Sequence, residues 1–163
     1  TALVYNGKAQ TPAASVKLDG VALAKGTDYT VTYKNNKNVG LATATIKVTG
    51  SYTGTIARTF KINPKGTAIK APAKLKKGFT AKWAKQSAKM GATRITGYQV
   101  RYSTKSSMAG AKIKTVKGYA KTSVKVTKLK AKKKDYVQVR TYKVVNGVKY
   151  YSAWSARKSV KTR

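Results

Sequence analysis

The sequence predicts an all-β chain built as two tandem β-sandwiches. Three observations carry this reading. Apolar side chains recur at every second position, as in Tyr29, Val31 and Tyr33, which is the period of a strand with one buried face. The alternating segments are short and are broken by Gly and Asn, residues that turns require. The alternation stops at Asn63-Pro64-Lys65-Gly66-Thr67 and then restarts; Pro64 removes a ladder donor and Gly66 loosens the path. The expected organisation is a first domain over residues 1–63, a linker over 64–66 and a second domain over 67–163. No segment has a helical period.

Each element follows from local residues. After the strand carrying Tyr29, Val31 and Tyr33, the run Lys34-Asn35-Asn36-Lys37-Asn38-Val39-Gly40 is a turn by its Asn and Gly density. Ala42, Ala44, Ile46 and Val48 then mark one face of the next strand. Gly50-Ser51-Tyr52-Thr53-Gly54 turns into a closing strand with Ile56, Arg58, Phe60 and Ile62 in phase. Arg58 interrupts that apolar face and is expected near a sheet edge. Asp19-Gly20 reads as a hairpin turn, and Asp28 as a residue that fixes a turn through backbone bonds. In the second part, Phe79, Ala81 and Trp83 share a face, as do Tyr98, Val100 and Tyr102, then Val124 and Val126, then Val137, Val139 and Thr141. Asn146-Gly147 between Tyr142-Lys143-Val144-Val145 and Val148-Lys149-Tyr150-Tyr151 signals a two-residue hairpin.

Charge narrows the function classes. The 163 residues carry 36 Lys and Arg against three acids, Asp19, Asp28 and Asp135, for a formal net charge of +33. There is no His and no Cys. General acid–base catalysis draws on His or tuned carboxylates, and three scattered Asp provide little of either, so the chain reads as a binding or scaffolding protein rather than an enzyme. Thiolate metal sites and disulfides are excluded, and neither a metal site nor a cofactor is expected. HExxH, P-loop and G-x-S-x-G patterns are missing. With 41% apolar residues, a core can form, unlike in a disordered basic tail. No apolar run approaches the ~20 residues that span a bilayer. Thr1 opens directly into strand-like sequence, so the chain is expected to be a piece of something longer.

Two resemblances cover nearly the whole length. Residues 67–163 resemble a fibronectin type III domain. Phe79-Thr80-Ala81-Lys82-Trp83 is similar to its B strand with the buried Trp, and Gly97-Tyr98-Gln99-Val100-Arg101-Tyr102 to strand C. Ser123-Val124-Lys125-Val126-Thr127-Lys128-Leu129 is similar to strand E and its following Leu, and Tyr136-Val137-Gln138-Val139-Arg140-Thr141-Tyr142 to strand F. Tyr151-Ser152-Ala153-Trp154-Ser155 resembles the approach to strand G. The resemblance implies a corner Tyr six residues after Leu129, where this chain has Asp135; either a bulge shifts Tyr136 into the role or the corner is absent. Residues 1–63 resemble the immunoglobulin-like repeats of large secreted bacterial proteins, through Tyr5-Asn6-Gly7-Lys8-Ala9-Gln10-Thr11-Pro12, Gly26-Thr27-Asp28-Tyr29-Thr30-Val31-Thr32-Tyr33-Lys34-Asn35-Asn36 and the closing strands after Gly50. Such repeats have a further strand before the Tyr-Asn-Gly segment, and here it is expected to be missing. The pairing resembles the tail of a modular Gram-positive-type surface or wall-associated protein and implies an extracellular location.

Candidate sites follow from one-sign charge. Most lysines fall on the polar phase of strands: Lys112 and Lys114 flank Ile113, and Lys125 lies between Val124 and Val126. A purely solubilising face mixes both signs, so a face of one sign points to a polyanion. The densest cluster is Lys128, Lys130, Lys132, Lys133 and Lys134, at the turn before strand F; Lys74, Lys76 and Lys77 form a second. Tyr29, Tyr33, Trp83, Tyr98 and Tyr102 read as core, and Tyr52, Tyr119 and Tyr150 as surface aromatics. The function expected is a cell-surface module that holds anionic wall polymers such as teichoic acid. The rivals are a structural spacer or filament subunit that donates strands between copies of the chain, and a binder of extracellular nucleic acid.

Overall fold

The computed structural model describes residues 2–50 and 53–163. Tyr52 and the centre of the turn expected at 50–54 lie outside the described residues. The described chain is all-β, and no helix of it is long and apolar enough to cross a membrane. It divides into two compact units, Thr1–Asn63 and Pro64–Arg163. Residues 64–66, expected as a linker, belong to the second unit: the Lys65 amide donates to Met90 Sδ at 3.2 Å and the Gly66 carbonyl accepts from Gln86 Nε2 at 2.8 Å.

The first unit is a four-stranded sheet with a small hairpin. Strand β1 (Ala2–Val4) precedes the hairpin strands β2 (Lys17–Leu18) and β3 (Val21–Ala22), followed by β4 (Tyr29–Lys34), β5 (Gly40–Val48) and β6 (Gly54–Asn63). The sheet order is β1-β6-β5-β4, with β1 parallel to β6 and the other pairs antiparallel. The expectation of a missing first strand is therefore corrected. β1 precedes Tyr5-Asn6-Gly7, but it pairs only Lys61, Ile62 and Asn63 of the ten-residue β6. Ala42, Ala44, Phe60 and Ile62 form the core, with Leu3, Tyr5, Val31 and Tyr33 against it. The strandless segment after Tyr5 is strapped over this face by Tyr33 Oη donating to the Pro12 carbonyl (2.7 Å) and Tyr29 Oη to that of Ala14 (2.8 Å). Asp19 (φ 47°) and Gly20 (φ 84°) make the hairpin turn. Asp28 closes its own turn: its carboxylate accepts from the Ala24 amide and its amide donates to the Ala24 carbonyl. Arg58 is exposed opposite Ala44, on the stretch of β6 that β1 leaves uncovered.

The second unit is a sandwich of two sheets. Its strands are β7 (Ala73–Leu75), β8 (Gly78–Lys82), β9 (Gly97–Ser103), β10 (Lys112–Lys117), β11 (Ser123–Val126), β12 (Lys134–Val145), β13 (Val148–Tyr151) and β14 (Lys158–Lys161). One sheet has the order β11-β8-β7; the other runs β10-β9-β12-β13, with β14 also paired to β12. The core between them is Phe79, Ala81, Trp83, Tyr98, Val100, Val137 and Val139, each almost fully buried. Trp83 packs on Tyr98, with ring centroids 5.1 Å apart, and donates its indole N–H to the Lys121 carbonyl. Asn146 (φ 49°) and Gly147 (φ 76°) turn β12 into β13.

Two expectations need correction here, and one alternative is decided. Tyr150 is buried, because pairing with Lys143 of β12 turns it inward. Lys112 and Lys114 lie on the inner phase, directly opposite Tyr102 and Val100, and Ile113 is the outward, 52% exposed residue. β10 is an edge strand, and lysines on its inner phase deter pairing with another chain; Lys114 Nζ donates to the Lys125 carbonyl of the other sheet at 2.8 Å. Finally, β12 keeps a continuous register through Asp135 and Tyr136. No bulge shifts Tyr136 inward, so Asp135 is the buried residue at the corner position and Tyr136 faces the opposite side.

Candidate functional site: a basic pole of the second unit

The first unit holds eight of the 36 basic residues and two of the three acids, and the second holds the other 28 with one acid. The charge is thus a property of the second unit. Within it, the two lysine clusters singled out from sequence meet at one pole. The β7–β8 turn carries Lys76 and Lys77, and the β11–β12 connection carries Lys128, Lys130, Lys132 and Lys133. The Leu129 amide donates to the Lys77 carbonyl at 2.9 Å, joining the two turns. The C-terminal segment locks them from below: the Lys77 amide donates to the Arg163 carbonyl (2.8 Å) and the Arg163 amide to that of Leu75 (3.0 Å). Thr162, only 3% exposed, donates its hydroxyl to the Lys130 carbonyl at 2.7 Å and accepts from the Lys133 amide.

All eight lysines are exposed. They are not all directed alike. Lys128, Lys130 and Lys133 line a cleft of about 440 Å³, which Lys105 and Lys112 complete from the β9–β10 side. Lys134 turns to the outer face, its Nζ 5.3 Å from the Tyr136 ring centroid. Lys74 is exposed on the short strand β7. The backbone at this pole is strained: Lys77 (φ 49°), Lys128 (φ 62°) and Lys132 (φ 57°) occupy the left-handed region, which costs a non-glycine residue about 1–2 kcal/mol. Such strain concentrates where geometry serves a function.

Asp135, 3% exposed, also lines the cleft. Among the described residues no hydrogen bond reaches its carboxylate. Burial pushes its pKa above the ordinary carboxylate range. The Tyr102 hydroxyl, lining the same cleft, is raised by its own burial and then by the Asp135 charge. Sequence reasoning missed Lys105, Lys112, Tyr102 and Asp135 as one group, since only the sandwich fold brings the β9–β10 loop beside the β11–β12 turn.

A second feature was also missed, although its signal lies in the sequence. Gln99-Val100-Arg101 and Gln138-Val139-Arg140 repeat one pattern, and antiparallel pairing sets Arg101 against Gln138 and Arg140 against Gln99. Each guanidinium donates twice to the opposed Gln Oε1, at 2.6–2.9 Å. Arg140 stacks on Tyr151 and Trp154, and Arg101 stacks on Trp154. Burial lowers the pKa of both arginines. Cation–π contacts and paired guanidinium–amide bonds tie these side chains together on the outer face. Of the other surface aromatics, Tyr119 is half-buried under Arg94.

Among the described residues no group of three His, Cys, Asp or Glu exists that could hold a metal ion. No known family profile and no curated protein matches the sequence. Solved structures do. The chain is similar to the FN1-FN3 domains of chicken CNTN1, with a TM-score of 0.52 and 16% identity, over 83% of this chain and 56% of that one. It spans little more than half of that neighbour's length. A second similarity is to a beta-1,2-glucanase from Parabacteroides distasonis, with a TM-score of 0.47 and 14% identity over 74% of this chain and 17% of that one. The likeness to FN1-FN3 establishes a β-sandwich fold of the fibronectin type III kind.

Proposed function

We propose that this chain is a non-enzymatic module of a bacterial cell surface or wall that binds anionic envelope polymers through the basic pole of its second unit. One observation carries the reading: two lysine clusters distant in sequence are joined there by a backbone hydrogen bond, and one of them lines a cleft of about 440 Å³ together with Lys105 and Lys112. A polymer of phosphodiesters such as teichoic acid matches many weak ammonium contacts. Affinity then arises from number rather than from any single lysine. Fibronectin-type sandwiches recur in modular extracellular proteins, which agrees with this location as an analogy of fold.

The test is sedimentation with purified cell walls, with and without teichoic acid, across a salt series. A variant with Lys76, Lys77, Lys130, Lys132 and Lys133 changed to Gln is compared with one in which Lys82, Lys85, Lys89, Lys149 and Lys158 are changed. Polymer-dependent binding that the first variant loses and the second keeps is the expected result. Equal loss in both reduces the pole to generic charge. Preference for duplex DNA over the wall polymer would favour the nucleic-acid reading.

One observation favours a second reading. β1 leaves most of β6 without a partner on that side, and Ile56 on this stretch is 42% exposed. An open edge beside an apolar residue invites strand addition by another copy. Concentration-dependent assembly that persists in high salt would support a spacer or filament subunit.

A further inference from the structure

The cleft at the basic pole is not built for an anion alone. Its lining includes Asp135, a residue 3% exposed whose carboxylate has no hydrogen-bond partner among the described residues and whose oxygens keep contact with solvent. Lys105, Lys112, Lys128, Lys130 and Lys133 all line the same space, yet none donates to it. The walls are held from both sides. Ser103 Oγ donates to the Ala109 carbonyl at 2.9 Å and accepts from the Lys105 amide at 3.1 Å, fixing one wall. The Leu129 and Thr162 bonds described above fix the other. Lys128 of one wall (φ 62°) and Met108 (φ 64°), which precedes Ala109 of the other, are left-handed non-glycine residues.

The resulting charge pattern is one negative group sharing a cleft with five positive ones. A bare cation is repelled by the lysines as it approaches Asp135. A bare polyanion is attracted to the lysines and meets a carboxylate in the same cleft. A ligand with both signs satisfies both.

Building on the polyanion reading, we propose that this cleft selects a phosphate polymer that carries primary ammonium groups, such as a polyol phosphate esterified with an amino acid. Phosphates rest on the rim lysines, and an ammonium on the short ester arm donates to the Asp135 carboxylate. A volume of about 440 Å³ is in the range of small-ligand sites and admits one aminoacyl arm with its neighbouring phosphates.

Esterification gives this proposal a sign opposite to that of plain charge attraction. Each ammonium added to the polymer cancels a phosphate charge, so binding through lysines alone weakens with esterification. Capture by Asp135 strengthens it. The experiment measures affinity for two synthetic poly(glycerol phosphate) chains of equal length, one bare and one partly esterified with alanine, at fixed salt and pH 6.5. The intact chain is expected to bind the esterified polymer about 10-fold more tightly, the scale of one hydrogen bond to a charged group. Asp135→Asn keeps the shape and is expected to reverse the ranking. N-acetylating the alanine arms removes the ammonium without touching the protein, and it must abolish the preference as well. The double variant Lys105→Gln/Lys112→Gln should weaken both polymers and leave their ranking unchanged. If the bare polymer binds more tightly to both the intact chain and Asp135→Asn, the ammonium site is overturned and the polyanion reading stands. If neither polymer binds, both fall.

Discussion

Asp135 and Lys143 are buried ionisable side chains of the second unit, 3% and 4% exposed, and they act on stability in opposite pH windows. Burial raises the Asp135 pKa above that of a free aspartate, about 3.9. The folded state therefore binds a proton more readily than the unfolded chain, so stability falls as pH rises from about 3.9 through the raised value, and the cost persists at neutral pH. Tyr102 and the rim lysines are the ionisable groups around it. Asp135→Asn should remove this acid-side dependence and raise neutral stability by about 1 kcal/mol, or ~4–8 °C in Tm; thermal melts from pH 4 to 8 check both. Lys143 behaves in the reverse sense. Burial lowers its pKa below 10.5, so its cost is present at neutral pH and is relieved as pH climbs from the lowered value to 10.5. Its ammonium is nonetheless fully bonded, to the Thr93 carbonyl (2.6 Å), Thr93 Oγ1 (2.7 Å) and the Arg94 carbonyl (3.0 Å). Lys143→Met strands these acceptors and should cost about 2 kcal/mol in urea unfolding. Lys132→Gly makes a contrasting case. Relief of left-handed strain offsets the extra freedom of the unfolded glycine, so stability should change by less than about 1 kcal/mol while polymer binding weakens slightly.

At the scale of elements, the close approach of β9 and β10 depends on Gly97. A Cβ on Gly97 would run into the Val116 carbonyl oxygen and come within 3.0 Å of Lys117 Cα and Tyr142 Cε1. Backbone cannot yield as a flexible side chain does, so Gly97→Ala should cost about 3 kcal/mol or more and fray β10 from its C-terminal end. Hydrogen exchange at the Val116 and Lys117 amides reads this directly. The strands themselves were legible because period-2 alternation is a local signal. Phe79, Ala81, Val137 and Val139 all turned inward as their phase implied. The edges were less legible. Lys112 and Lys114 lie on the inner phase of β10, where an edge position leaves them exposed, and a strand's position in its sheet is not written in its own residues. The cleft was least legible of all. In sequence Asp135 stands out only as the residue at the expected Tyr corner, and its place opposite the buried Val160 of β14 turns it inward.

For the whole molecule, a charge of +33 gives salt two effects of opposite sign. Self-repulsion opposes the compact state, and it is strongest at low ionic strength, where the Debye length is about 30 Å at 0.01 M against ~8 Å at 0.15 M. Added sodium chloride should therefore raise Tm, most steeply below ~0.1 M. The same salt should weaken polymer binding. Each phosphate neutralised contributes about 0.9 to the log–log slope on duplex DNA, or ~0.7 on a single strand, and a flexible wall polymer is closer to the latter. The pole variant with five Lys→Gln changes should lower the binding slope by roughly three to four while raising low-salt Tm, since it removes repulsion between neighbours such as Lys130 and Lys133. The control variant should raise Tm in the same direction but leave the binding slope nearly unchanged. Parallel melts and binding isotherms from 0.02 to 0.5 M salt separate the two quantities. If both variants shift the slope alike, affinity follows total charge and the pole has no special standing; if only the pole variant does, stability has been conceded at one place on the surface in return for a local field.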